Sequence, residues 1–143
     1  MYVGSQLPFT EENLRFAAQM GITHVDTAPD KGLGLEDDGV WHTDKLCAVR
    51  EKVESYGLTL AAMHLPLTSA GIEKQVWPNI MLGTPDRDRD IEKVAKSIEA
   101  AAQAGIPLLL YNLAILPVVR SPYRTPGRGG VTYSHFDYEE VKN

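Results

Sequence analysis

The chain has 143 residues, of which 43% are apolar and 23% are charged, a composition ordinary for a globular domain. A domain of this length buries roughly 70% of the surface of its unfolded chain, so one substantial core is feasible. The formal net charge of −5 argues against a general binder of nucleic acids or anionic membranes. Cys47 is the only cysteine, which excludes an intrachain disulfide.

Membrane insertion and export are also not indicated. No apolar run approaches the roughly 20 residues that a membrane span needs. The N-terminus lacks a basic region followed by an apolar stretch. We therefore expect a cytoplasmic protein that has neither a membrane nor a nucleic acid among its partners.

Three helices are predicted from apolar residues at helical spacing. The first follows Thr10, a good N-cap, and the second follows Thr43. The third follows Thr84-Pro85, an N-cap and an N1 proline. It carries the clearest apolar stripe, which consists of Ile91, Val94, Ala95, Ile98 and Ala102.

Each helix is followed by the same pattern: a glycine, an aliphatic residue, Thr or Pro, and a short apolar strand. The glycines are Gly21, Gly57 and Gly105, and with a first strand over residues 2–7 the order becomes β-α-β-α-β-α-β. This alternation predicts parallel strands joined by right-handed crossovers. Two α/β architectures fit: the N-terminal half of a (β/α)8 TIM barrel, and a small doubly wound, flavodoxin-like sheet.

The C-terminal part favours the half-barrel. A doubly wound sheet needs a fifth strand and a closing helix, but the chain after Val119 is rich in proline, glycine and arginine. The stretch after Asp137 is typical of the start of a helix. We therefore predict a single (β/α)4 half-barrel over residues 1–143, in which residues 120–137 form a long loop at the rim.

Several segments resemble the mannonate dehydratase family. Residues Gly83 to Glu92 match its Gly-x-Pro-x-Arg-Asp-x-x-Ile-Glu segment, and Gly105-Ile106 followed by Tyr111-Asn112 matches its next strand. Val40-Trp41 and the arginine-bearing loop over residues 120–133 are also similar. Residues 65–74 depart from the family, because they lack its His-Glu pair, and residues 125–130 depart from its Asp-Gly segment.

The resemblance implies a TIM barrel of the xylose-isomerase-like group and a lyase of hexuronate degradation. Its reaction would remove water from D-mannonate to give 2-dehydro-3-deoxy-D-gluconate. The resemblance also implies a divalent metal, Mn²⁺ or similar, whose ligands lie on strands of the second half of the barrel. No metal ligand is therefore expected in this chain, from which the catalytic half is expected to be absent.

Two other functions stay open. One is a sugar isomerase or epimerase of the same group. The other is a non-catalytic half-barrel that dimerises, since four strand–helix units leave sheet edges and an apolar face uncovered. The expected partners are accordingly a small sugar acid and either further copies of the chain or a second half-barrel.

Residues at the carboxyl ends of parallel strands face the functional rim. His64 ends the third strand and is the candidate catalytic residue, because imidazole can bind a hydroxyl or exchange a proton near pH 7. Tyr111 and Asn112 end the fourth strand and are substrate-binding candidates. Asp26 ends the second strand; it could orient a basic residue, but we interpret it as a cap of the following turn.

Guanidinium groups bind carboxylates bidentately, and Arg128 is the substrate-binding candidate among the three arginines of the rim loop. Arg87 is a further candidate because the family segment includes it, although local ion pairing also explains it. Trp41 is a candidate to pack on a sugar face, whereas Trp77 is assigned to packing. The remaining histidines and the cysteine lack metal-ligand spacing; they are His24, His42, His135 and Cys47.

Overall fold

The structure is a computed structural model that describes residues 2–27 and 39–142. Its main sheet has four parallel strands in sequential order. They are β1 (Gly4–Gln6), β2 (His24–Thr27), β3 (Thr59–His64) and β4 (Leu109–Leu110). A flavodoxin-like sheet would have the order 2-1-3-4-5, so the doubly wound alternative is excluded and the half-barrel prediction is confirmed.

Helices lie between consecutive strands of the main sheet, as predicted, and one short helix follows the last strand of the chain. They are α1 (Glu11–Gln19), α2 (Thr43–Glu54), α3 (Pro78–Leu82), α4 (Arg87–Gln103) and α5 (Tyr138–Val141). Thr10 caps α1, because its Oγ1 accepts from the backbone N–H of Asn13 at 3.2 Å. Asp137 caps α5 in the same way, by accepting from Glu139 N at 2.9 Å.

The start of α4 was predicted wrongly. The Thr84 hydroxyl donates to Asn79 Oδ1 at 2.7 Å, so it joins α4 to α3 and does not cap the helix. The cap position falls instead on Asp86. The short helix α3, which was not predicted, supplies the competing acceptor.

The core lies between one face of the sheet and helices α1, α2 and α4. Its fully buried members include Ala17, Leu46, Val53, Met63 and Ala104. Most of the predicted apolar stripe of α4 lies outside it, since Ile91 and Ile98 are 46% and 45% exposed, although Val94 packs against its edge. The stripe instead borders an apolar groove of about 530 Å³ beside β4.

The buried side of α4 carries polar residues that find partners. Ser97 Oγ accepts from the backbone N–H of Trp41 at 3.2 Å and donates to Lys93 O at 3.0 Å. Asp90 accepts from Asn79 Nδ2 at 2.8 Å. These partners explain why the polar side of α4 is turned inward, since buried polar groups are tolerated when hydrogen-bonded.

Within residues 120–137 the chain forms an antiparallel hairpin of β5 (Arg124–Pro126) and β6 (Thr132–Ser134). Its position over the rim stays a prediction. No helix in the described part of the chain is long and apolar enough to cross a bilayer. The cytoplasmic location likewise stays a prediction.

Candidate functional site

Three polar side chains meet at the carboxyl ends of neighbouring strands. Gln6 ends β1, Asp26 lies in the last part of β2, and His64 ends β3. His64 Nε2 lies 3.0 Å from the Gln6 side-chain amide and 3.5 Å from Asp26 Oδ2. Because parallel strands bring their carboxyl ends to one edge, residues 58 positions apart become neighbours.

A shift of register in β3 places His64 in this cluster. Val25 pairs with Leu60, but Asp26 pairs with Ala62, so Ala61 is an extra residue opposite β2. Leu60 and Met63 therefore both face the core, although strict alternation would place them on opposite faces. The residue after Met63 then points to the face that Asp26 occupies. Bulges of this kind change the face of the sheet to which the following side chains point, and they are common next to active sites.

Asp26 is held in an unusual state for a carboxylate. Its side chain is 25% exposed, yet its Oδ1 is buried and accepts no hydrogen bond from any described residue. A buried polar atom without a partner costs about 1–3 kcal/mol. Among the described residues, Asp26 Oδ1 is therefore a buried acceptor without a donor.

Two members of the cluster, Gln6 and Asp26, line an open hollow of about 270 Å³ on the face of the sheet that the helices do not cover, whereas His64 lies beside it. Gln6 and Asp26 contribute to its lining with small or apolar neighbours such as Ala61 and Leu110. The larger groove beside α4 is lined almost entirely by apolar side chains. Since a ligand site needs polar groups that fix orientation, the hollow at the strands is the candidate functional site.

Comparisons with known proteins establish the family of the chain. The family model of D-mannonate dehydratase (UxuA) matches residues 8–143. The chain belongs to this family. Mannonate dehydratase 2 of Halalkalibacterium halodurans is 34% identical over 74 residues, which are 52% of this chain and 19% of that protein. Mannonate dehydratase of Oceanobacillus iheyensis is 36% identical over 74 residues, 51% of this chain and 19% of that protein.

Solved structures show the same fold. The chain is similar to mannonate dehydratase from Streptococcus suis serotype 2, with a TM-score of 0.74 and 24% identity over 99% of this chain and 38% of that one. A xylose isomerase domain protein from Planctomyces limnophilus gives a TM-score of 0.53 and 14% identity over 85% and 45%. The chain thus spans less than half of each of these TIM-barrel proteins, which fits an N-terminal half.

Two further residues that the dehydratase resemblance singled out follow β4. Tyr111 is 61% exposed, and Asn112 is exposed with its backbone N–H donating to Leu67 O at 2.8 Å. Both side chains are thus accessible after the strand end, but Tyr111 lines the apolar groove beside α4, and neither residue lines the hollow. Their role in binding stays a prediction.

The arginines differ in their availability. Arg124 is engaged with Thr132, donating from Nε to its Oγ1 at 2.8 Å and from Nη2 to its carbonyl at 2.6 Å. Arg87 pairs with Asp88 at 2.8 Å, the local ion pair weighed against a binding role. Arg128 is exposed and makes no hydrogen bond or ion pair within residues 2–27 and 39–142. Of the three, it has the guanidinium most open to a carboxylate.

Trp41 lies away from the hollow. Its side chain is 2% exposed and packs in the core cluster, and Trp77 is buried outside that cluster, at 1% exposed. An indole enclosed in this way presents no face to a sugar, so the structure favours packing for both tryptophans.

The described residues do not fit a resident metal. Among them, no three His, Cys, Asp or Glu side chains are grouped closely enough to hold an ion. His24 and Asp26 line the hollow, and His64 contacts Asp26 beside it. These side chains can form hydrogen bonds to a ligand there. Gln6 is the site residue that the sequence interpretation missed, although the end of the first strand pointed to it.

Proposed function

We propose that the chain is the part of a mannonate dehydratase that binds and orients the sugar acid. The observation that carries this proposal is the contact of His64 with Asp26 and Gln6 beside an open hollow. Family membership supports a dehydratase, and removal of water from D-mannonate to give 2-dehydro-3-deoxy-D-gluconate is the reaction we propose for the complete barrel. The chain covers 38% of the Streptococcus suis enzyme, so the whole reaction needs further strands.

The roles of the residues follow from their chemistry. The His64 imidazole accepts a proton or a hydrogen bond from a substrate hydroxyl. Asn112 offers both a donor and an acceptor to the polyol, and Tyr111 offers a phenolic hydroxyl. Arg128 holds the carboxylate of the sugar acid, because its guanidinium is unpaired within the described chain. Arg87 is a secondary candidate for the same carboxylate.

A Mn²⁺ or similar ion, which the family implies, would need ligands from outside the described residues. Such an ion supplies Lewis-acid polarisation of a carboxylate and an adjacent hydroxyl when it is bound. The binding roles of His64, Asn112 and Arg128 do not depend on it.

A second half-barrel is the proposed protein partner, either as another copy of the chain or as a different one. The accessible surface is 9362 Å², whereas a compact monomer of 15.8 kDa has about 7,300 Å² by the usual scaling with mass. The difference, 9362 minus 7,300, is about 2,000 Å². A standard interface buries about 800 Å² of each partner, so the excess is large enough to include a surface of that size.

A sugar isomerase or epimerase is the second candidate, because the Planctomyces limnophilus neighbour has the same fold. The two reactions differ in their products. A dehydratase gives a product lighter by one water with a new methylene group, whereas an isomerase keeps the mass of its substrate. Mass spectrometry of the reaction mixture separates them.

The binding proposal is tested by titrating the ¹⁵N-labelled 143-residue chain with D-mannonate, with and without Mg²⁺, and following the histidine side-chain signals by NMR. We expect saturable changes at His64 and at least a tenfold weaker affinity in His64→Gln, about 1.4 kcal/mol. His42→Gln, which alters an exposed histidine before α2, is the matched control. Equal affinity in both variants would refute the role of His64.

A further inference from the structure

We infer that Asp26 is a positioning residue that holds His64 in the tautomer with its proton on Nε2. In this arrangement Nδ1 is the basic nitrogen that a substrate hydroxyl meets. The inference rests on the proposed function for the identity of the ligand, but the tautomer itself is a property of the unliganded chain.

The first argument is the pairing of Nε2 with a carboxylate. An ionised carboxylate can only accept hydrogen bonds, and a bare imidazole nitrogen can also only accept. Asp26 Oδ2 lies 3.5 Å from His64 Nε2, so an unprotonated Nε2 would set two lone pairs against each other. A proton on Nε2 converts this contact into an attraction.

The inference also fixes the orientation of Gln6, whose amide nitrogen is placed 3.0 Å from the same nitrogen of His64. The nitrogen and oxygen of an amide are assigned from the hydrogen-bond network. With Nε2 protonated, the Gln6 amide has to be rotated by 180° from this placement, so that its oxygen faces His64. Gln6 and Asp26 are then both acceptors for one N–H, and neither has to donate.

The second argument is the partial burial of Asp26. Its Oδ1 is enclosed and takes no hydrogen bond from any described residue, while the side chain as a whole is 25% exposed. Low local dielectric strengthens the electrostatic influence of such a group on its neighbour. Asp26 therefore acts on His64 more strongly than an exposed carboxylate at the same distance.

The consequence for the ligand lies at the other ring nitrogen. No described residue forms a hydrogen bond to His64 Nδ1. As the unprotonated nitrogen it accepts from a hydroxyl, and the adjacent carboxylate of Asp26 repels an anionic group. The dyad therefore recognises a hydroxyl of the sugar acid, while the acid's own carboxylate has to bind elsewhere.

The test is the ring ¹⁵N spectrum of the full chain at about pH 8, where imidazoles of ordinary pKa are neutral. The signals of His64 are identified by their loss in His64→Gln. We expect a protonated-type Nε2 and an unprotonated-type Nδ1 without any ligand. A proton found mainly on Nδ1 would overturn the inference, and this measurement needs no variant at Asp26.

Substitutions at Asp26 supply the second readout. In Asp26→Asn the two ring-nitrogen shifts of His64 should move toward each other, since an amide no longer imposes one tautomer. Asp26→Glu should restore much of the separation, and Asp44→Asn, at an exposed carboxylate in α2, should change nothing. An unaltered His64 spectrum in a folded Asp26→Asn chain would refute positioning. The chain could show the expected tautomer and still fail to bind D-mannonate. That result would refute the proposed function and leave the positioning role of Asp26 intact.

Discussion

Leu60 and Met63 both face the helices, although three positions separate them in one strand. Their common orientation requires the extra residue Ala61, which has no partner in β2. The same extra residue places His64 on the opposite face, next to Asp26. The core and the candidate site are therefore coupled through one irregularity in β3.

Deletion of Ala61 should be tolerated, which is unusual for a residue inside a central strand. Leu60 and Met63 would then be separated by one residue and would alternate regularly on the core side. We expect a change in the free energy of unfolding within about 1 kcal/mol, measured by urea denaturation, and His64 should stay near Asp26. Deletion of Thr59 is the control. It moves buried Leu58 off the core face and should cost at least about 1.5–3 kcal/mol. Equal losses from the two deletions would contradict the bulge.

Replacement of Trp41 separates packing from ligand binding. Trp41→Ala should destabilise the chain by about 3–5 kcal/mol, as for other buried aromatic residues. Trp41→Phe should keep the fold and bind D-mannonate with unchanged affinity. Trp77→Ala, at an equally buried indole, is the matched comparison for stability. A loss of affinity in the folded Trp41→Phe chain would restore the role in sugar binding.

Removal of the Ser97 hydroxyl should show why α4 has a polar buried side. In Ser97→Ala the backbone N–H of Trp41 loses its acceptor, which should cost about 1–3 kcal/mol of unfolding free energy. The measurement is chemical denaturation. Ser55→Ala, at an exposed position after α2, should have a much smaller effect. Equal effects would mean that the Ser97 hydrogen bond is dispensable.

The ion pair between Glu11 and Lys52, at 2.5 Å, should make stability depend on pH. The hydrogen bond and charge of Lys52 lower the pKa of Glu11 below its ordinary value of 4.5, and the hydrogen bond to Glu11 raises the pKa of Lys52. The contribution of Glu11 is therefore present above pH 4.5 and lost as the pH falls through its lowered pKa. That of Lys52 is present below pH 10.5 and lost above its raised pKa.

In thermal melts, Glu11→Gln should lower Tm at neutral pH but not in strong acid. Glu12→Gln is the control, and a pH-independent difference would contradict the pairing.

A charge in the groove beside α4 tests the pairing with a second half-barrel. Ile98 is 45% exposed, so Ile98→Lys should change the stability of a monomer by no more than about 0.5 kcal/mol. If the groove is covered by another copy, the variant should shift the mass in solution, measured by light scattering, toward 15.8 kDa. Glu92→Lys, at an exposed position of the same helix, should leave the mass unchanged. The same mass for Ile98→Lys and the parent chain would exclude the groove as an interface.

The alternation of strands and helices could be predicted because its signals are local. Gly21, Gly57 and Gly105 end their helices with φ of 71°, 74° and 73°, a conformation that glycine adopts at low cost. The inward face of α4 could not be predicted from periodicity. Its polar residues become acceptable only through partners such as Asn79, which the chain brings together from a distance. The sequence showed that α4 has an apolar face. It did not show whether that face packs against the core or borders an open groove.

The candidate site was predicted in part for the same reason. His64 could be identified from its place at a strand end, a rule that depends on the order of elements alone. The contact with Gln6 and Asp26 depends on register, and two adjacent alanines give no sign of which one lies outside the pairing. Asp26 was interpreted as a cap because aspartate is common in turns; a cap role would involve the residues after 27, which lie outside the described part of the chain.

The groove beside α4 also determines what a stability measurement on this chain would mean. A surface that associates with another copy binds the folded state and not the unfolded one, so its contribution follows mass action. The midpoint of unfolding would then rise with protein concentration, and no single free energy would describe the isolated chain. Dilution would then lower the stability of the folded state. A melting temperature would have to be given together with the protein concentration at which it was measured.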